Sequence, residues 1–187
     1  MDQDTRRLTD FLAGLGIEKV EHTEKTYLAH LVNVYRFMKT QGCDDDVCRA
    51  GMFHSIYGTE RFQGFKLPLE RRPEIVALIG ERAEHLAYWN CAMDRASFDR
   101  AVEKGIEPYR ITDRLTHEPI DLSSRDFDDL CRVHLYDWLE QAPRSRYGWD
   151  YRRAAYRRMA ERLGEPALTA HNRVFAQETV AHSGGTP

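Results

Sequence analysis

Apolar residues recur at helical spacing along most of this 187-residue chain, and three of the resulting stripes carry a polar residue turned inward: His30, His54 and Asp137. On a wheel of about 100° per residue, His30 falls on the stripe of Tyr27, Leu31, Val34 and Phe37. His54 shares a face with Val47, Ala50 and Gly51, whose small size leaves room for a neighbour to come close. Further on, Phe127, Leu130, Cys131, His134 and Trp138 form one buried stripe, with Asp137 at its margin. A carboxylate taken out of water is costly unless it is paired or bound to a cation. Two imidazoles and one carboxylate on three helices satisfy one another if those helices converge, with or without a divalent metal between them.

Helix signals divide the chain without any repeat, low-complexity tract or Pro/Gly-rich linker. A first helix is expected from about Thr5 to Leu15, stopped by Gly16. A second is expected from Thr23, as N-cap, to Gln41, closed by Gly42. The run Asp44-Asp45-Asp46 caps a shorter helix ending near Ser55. Residues 57–72 read as a loop, and Pro73 suits the first turn of the next helix. Glu81 to Asp94 continues helical, and Ser97 is the expected cap of another short helix. Tyr109 to Leu122 alternates and contains Pro119, which predicts a small extended or β-hairpin insertion. Helices resume over Ser124–Gln141, Asp150–Leu163 and Pro166–Thr179. The fold expected is an all-α bundle of seven to nine helices forming a single domain over residues 1–181, with 182–187 a disordered tail.

Composition removes several function classes. Thirty acidic residues against 27 basic ones give a net charge of -3, so nucleic acid is not the expected partner. No apolar run is long enough for a membrane span, and Met1-Asp2-Gln3-Asp4 is too acidic to open a signal peptide, so a cytoplasmic location is expected. The four cysteines lack C-x-x-C spacing and read as reduced thiols. No nucleophile elbow, Walker or dinucleotide fingerprint is present. Arg152, Arg153, Arg157, Arg158 and Arg162 form what reads as the solvated face of an amphipathic helix.

Tyr27-Leu28-Ala29-His30-Leu31-Val32-Asn33-Val34 resembles the first-histidine helix of the HD-domain superfamily of metal-dependent phosphohydrolases. Ala50-Gly51-Met52-Phe53-His54-Ser55 is similar to its second helix, which ends in a His-Asp doublet, and Leu135 to Glu140 to the segment carrying its final aspartate ligand. The resemblance covers about residues 20–141. It implies metal ligands at His30, His54 and Asp137, with His85 as a further ligand. The chain departs from the pattern at Ser55, where the superfamily has an aspartate that binds the metal and bridges two metals in dinuclear members.

Two chemistries follow, with a small-molecule substrate in each. A phosphate-ester hydrolase needs a divalent metal (Mn, Fe or Zn) to activate water and a proton-transfer group, for which the resemblance points to Glu60. Arg61, Lys66 and Arg95, near the site in sequence, are the expected phosphate-binding cations. Alternatively, two histidines and one carboxylate are the ligand set of many iron oxygenases. Phe53, Tyr57, Phe62, Phe65, Tyr88 and Trp89 would then line the organic pocket. A third alternative is a non-catalytic ligand- or protein-binding module with a decayed metal site. Self-association into a homo-oligomer is compatible with all three.

Overall fold

The computed structural model describes residues 3–17, 20–22 and 25–178. Among these, nine α-helices and two short antiparallel hairpins follow one another. Helix α1 (Gln3–Gly14) buries Leu8 and Leu12. Strands β1 (Glu21–His22) and β2 (Lys25–Thr26) then pair in a hairpin that periodicity does not signal. Helix α2 (Tyr27–Thr40) therefore starts later than expected: its N-cap is Thr26, whose hydroxyl accepts from the Ala29 amide. Thr23 lies outside the described residues, as does the tail from His182.

Helix α3 (Asp45–Met52) is capped by Asp44, which accepts from the Val47 amide at 2.9 Å. It ends three residues before Ser55, and tight turns carry the chain on through Tyr57. After the loop come α4 (Arg72–Ile79), with Pro73 in its first turn, and α5 (Glu81–Ala92). Helix α6 (Arg95–Lys104) is capped by Asp94 rather than by Ser97, because the Asp94 carboxylate reaches the Ser97 amide at 2.7 Å. Strands β3 (Tyr109–Thr112) and β4 (Pro119–Leu122) form the expected insertion. Helix α7 runs over Ser124–Gln141 and ends in a 3-10 turn, Ala142–Arg144; α8 (Arg153–Leu163) and α9 (Ala167–Phe175) complete the bundle.

The longest helix is the axis of the bundle: α7 packs against α2, α3, α5, α8 and α9, while α2 packs on α3 and α3 on α5. The three helical segments with inward polar residues thus meet one another. Gly51 makes this close approach possible, since a Cβ placed there would stand 2.0 Å from the Met38 sulfur of α2. Any larger residue at this position would have to displace the Met38 thioether or move α2 away from α3.

The basic face of α8 stays largely solvated, with the Arg153, Arg157 and Arg158 side chains 39%, 44% and 48% exposed. Arg153 pairs with Glu178, Arg157 with Glu161, Arg158 with Glu103 and Arg162 with Asp128. Arg152 turns inward to Asp99 and to Nε2 of the buried His134. All four cysteines are free thiols, three of them buried. No helix among the described residues is long and apolar enough to cross a membrane.

Candidate metal centre

His30 from α2, His54 from the turn after α3, and Asp137 from α7 converge in the interior. The Nε2 atoms of His30 and His54 stand 3.1 and 3.2 Å from the same Asp137 Oδ1. Their rings meet edge to face at 5.2 Å between centroids. Among the described residues these three form the one group of His, Cys, Asp and Glu able to hold a metal ion, with ligand atoms all within 4.8 Å of one another.

The far side of each ring is fixed. His54 Nδ1 donates to the Gly51 carbonyl at 2.7 Å, and His30 Nδ1 donates to Glu140 Oε2 at 2.8 Å. Neither acceptor can donate in return, so a neutral imidazole here keeps its proton on Nδ1 and its lone pair on Nε2. Gln141 Nε2 donates to Asp137 Oδ1 at 2.8 Å and holds the carboxylate. Outer hydrogen bonds of this kind orient metal-binding side chains. Two atoms bound about 2.1 Å from one cation lie about 3.0 Å apart at a right angle and about 3.4 Å apart at the tetrahedral angle. The two His–Asp separations fall in this window, and the donor set of two imidazoles and a carboxylate is one that could hold a divalent cation.

Electrostatics agree with a site arranged around positive charge. Burial would raise the Asp137 carboxyl, but the His54 and His30 imidazoles outweigh it and hold the group well below the usual carboxylate range. Burial lowers His30, yet the carboxylates of Asp137 and Glu140 overcome it and raise the imidazole to about 9. In the metal-free protein a proton on His30 therefore takes the part of the cation.

Ser55 is buried, and its hydroxyl is hydrogen-bonded to that of Tyr27 at 2.9 Å. The His54 carbonyl accepts from Asn90 Nδ2 at 2.7 Å, and His134 Nδ1 donates to Asn90 Oδ1 at 3.0 Å. Burial first, then the nearby Arg152 and Arg95, pushes His134 well below its ordinary pKa. It stays neutral, accepts from Arg152 on Nε2, and braces the turn that carries His54.

A cavity of about 780 Å³ opens beside the cluster, with His54, Ser55 and Asp137 on its wall. Arg61 and Arg95 line it, as the sequence suggested for phosphate binding; Lys66 is not among its lining residues and lays its stem across Gly58 instead. Glu60 is likewise not in the lining: its carboxylate accepts from the Arg95 amide at 2.9 Å and so ties the loop to the start of α6. His85 lies outside the three-residue cluster and stacks on Trp89 at 5.7 Å.

Of the six aromatics expected around a pocket, Phe62 alone lines this cavity; its aromatic wall is otherwise Trp138, Tyr147, Tyr151 and Tyr156. Phe53 belongs to the core, and Tyr57 donates to the buried Glu84. Glu140, Gln141 and Arg144 were not singled out from sequence. Their signal is spacing, since residues three, four and seven positions after Asp137 return to its face of α7.

Residues 11–95 match a family model described as a domain of unknown function (DUF6817). The matched stretch contains His30 and His54 and ends before Asp137. No curated protein and no solved structure matches the chain.

Proposed function

We propose that the chain is a divalent-metal-dependent enzyme of HD-like fold that hydrolyses a phosphate ester of a small, aromatic substrate. The observation that carries this is the convergence of two imidazole Nε2 atoms on one buried carboxylate oxygen, each ring fixed from behind, at the wall of an arginine-lined cavity. His30, His54 and Asp137 would hold the cation, supplied as manganese, iron or zinc. A divalent cation in such a site lowers the pKa of bound water and polarises a phosphoryl oxygen.

The chain's own residues supply the rest. Arg61 and Arg95 meet the phosphoryl charge, and the Glu60–Arg95 link positions the second of these. Trp138 and Tyr156, stacked 5.2 Å apart, wall off the organic part of the substrate from water. The water oxygen bonds to phosphorus, the ester P–O bond breaks, and the departing alcohol takes a proton from the water. Ser55, neutral and bonded to Tyr27, contributes no charge to a second cation, which favours a mononuclear site.

The test is a phosphate-release screen over aryl and nucleoside phosphates. Protein reconstituted anaerobically with iron(II), manganese(II) or zinc(II) is compared with its Asp137→Asn variant. Release that needs both the metal and Asp137 is expected. Oxygen-dependent spectral change of an iron-loaded protein without any phosphate release would replace hydrolysis with oxygenase chemistry. Absence of metal uptake would leave a ligand-binding module.

A further inference from the structure

The charge of the cavity is larger than one phosphoryl group needs. Its lining holds four arginines, Arg61, Arg95, Arg144 and Arg146, against a single carboxylate, Asp137. The arginines sit at two places. Arg61 and Arg95 come from the loop after His54 and the start of α6, beside the cluster. Arg144 ends the 3-10 turn after α7 and Arg146 follows in the adjoining turn, seven and nine positions after Asp137. Arg95 and Arg146 make no ion pair among the described residues; Arg95 donates to the Tyr151 hydroxyl at 2.6 Å, and Arg146 lies 5.4 Å from the Tyr147 ring centre. Arg144 has one carboxylate partner, Glu140 at 2.8 Å, while its Nε is buried with no hydrogen-bond partner.

Between the two arginine pairs runs a band of rings. Trp138 stands 5.1 Å from Tyr151, and Tyr151 stacks on Tyr147 at 4.9 Å. Such a band favours a flat, polarisable body over a flexible aliphatic one. Glu60 stands 3.8 Å from Arg61 and Glu140 pairs with Arg144, which leaves Arg95 and Arg146, one beside each ring of the Tyr151–Tyr147 pair, without an acidic partner among the described residues. Such cations around a concave site are matched by ligand anions.

We propose that the substrate carries two separated anionic groups: a phosphoryl group at the metal centre and a second anion held by Arg144 and Arg146, with a planar body along the tyrosines between them. This rests on the hydrolase assignment for the first anion only. The second anion follows from Arg146, which lies beside Tyr147 without an acidic partner among the described residues, and from its neighbour Arg144.

Two non-hydrolysable probes separate the questions: biphenyl para-phosphonate, with one anion, and biphenyl para,para′-diphosphonate, with one at each end. Each is titrated calorimetrically into the metal-loaded protein and its Arg146→Gln variant. The diphosphonate should bind the parent about tenfold to a hundredfold more tightly, the yield of one or two charge-assisted contacts. Arg146→Gln should bring its affinity down toward that of the monophosphonate. Equal affinities for the two probes in the parent would overturn the proposal. So would an Arg146→Gln variant that weakens both probes alike. If the diphosphonate preference holds while no phosphate ester is hydrolysed, the two-anion site stands and the hydrolase assignment falls.

Discussion

Replacing Gly51 by alanine tests the packing that brings the two histidines together. The new methyl group would stand 2.0 Å from Met38 Sδ, 3.2 Å from Met38 Cε and 3.4 Å from Val34 Cγ1. Met38 and Val34 are both fully buried, so the sulfur would have to be displaced within the core. Overfilling a packed core costs about 1–3 kcal/mol. Helix propensity opposes this, because alanine in place of a helical glycine returns about 0.5–1 kcal/mol. The net expectation is a loss of up to about 2.5 kcal/mol, read as a lower urea midpoint at unchanged m-value. Shortening Met38 to alanine in the same chain should relieve part of the clash. The double variant should then be more stable than the sum of the two single losses predicts. A Gly51→Ala protein more stable than its parent by about 1 kcal/mol, the amount propensity alone gives, would refute the close approach of α2 and α3. The spacing of His30 and His54 would then need another explanation.

Other outcomes follow from the same contacts. Glu140→Gln should weaken zinc affinity by about tenfold to a hundredfold in competition with a chromophoric chelator, because His30 loses the carboxylate that orients it. In the metal-free protein His30 is raised from 6.5 to about 9, so its stabilising contribution is complete below pH 6.5 and is lost as pH rises through 9. Urea midpoints from pH 6 to 10 should show that loss in the parent and not in His30→Gln, and metal affinity should rise over the same range as the competing proton leaves. Arg72→Ala strands the fully buried Glu84, to which Arg72 donates at 2.6 and 2.8 Å, and should cost about 3 kcal/mol in thermal or urea unfolding.

Where a side chain's environment is set by its own helix, the sequence carried the information. The stripes around His30 and Asp137 place both residues inward whatever the neighbours are, and helix α7 spans the Ser124–Gln141 that periodicity predicts. Caps that depend on three-dimensional reach were less visible. Asp94 and Ser97 are both good cap residues, and only the backbone path shows that Asp94 takes the position. The early hairpin has strands of two residues each, too short for any alternation to register.

The cavity was the least visible part. Phe53, Tyr57 and Trp89 are close to His54 or His85 in sequence, yet packing turns them to the core or to other partners. Arg144, Arg146, Tyr147, Tyr151 and Tyr156, which line the cavity, lie on a stretch whose composition resembles an ordinary basic surface segment. Only the packing of α8 against α7 brings Tyr156 to the cavity that His54 and Asp137 also line.

One measurement bears on the whole of this chemistry: the metal content of protein prepared without chelators or a polyhistidine tag and reloaded anaerobically with iron(II), manganese(II) or zinc(II), beside His30→Ala and His54→Ala. About one equivalent of divalent metal in the parent and none in either variant, with both variants folded by circular dichroism, is the predicted result. Metal retained by both variants, or absent from the parent under every loading condition, would contradict a metal centre at His30, His54 and Asp137.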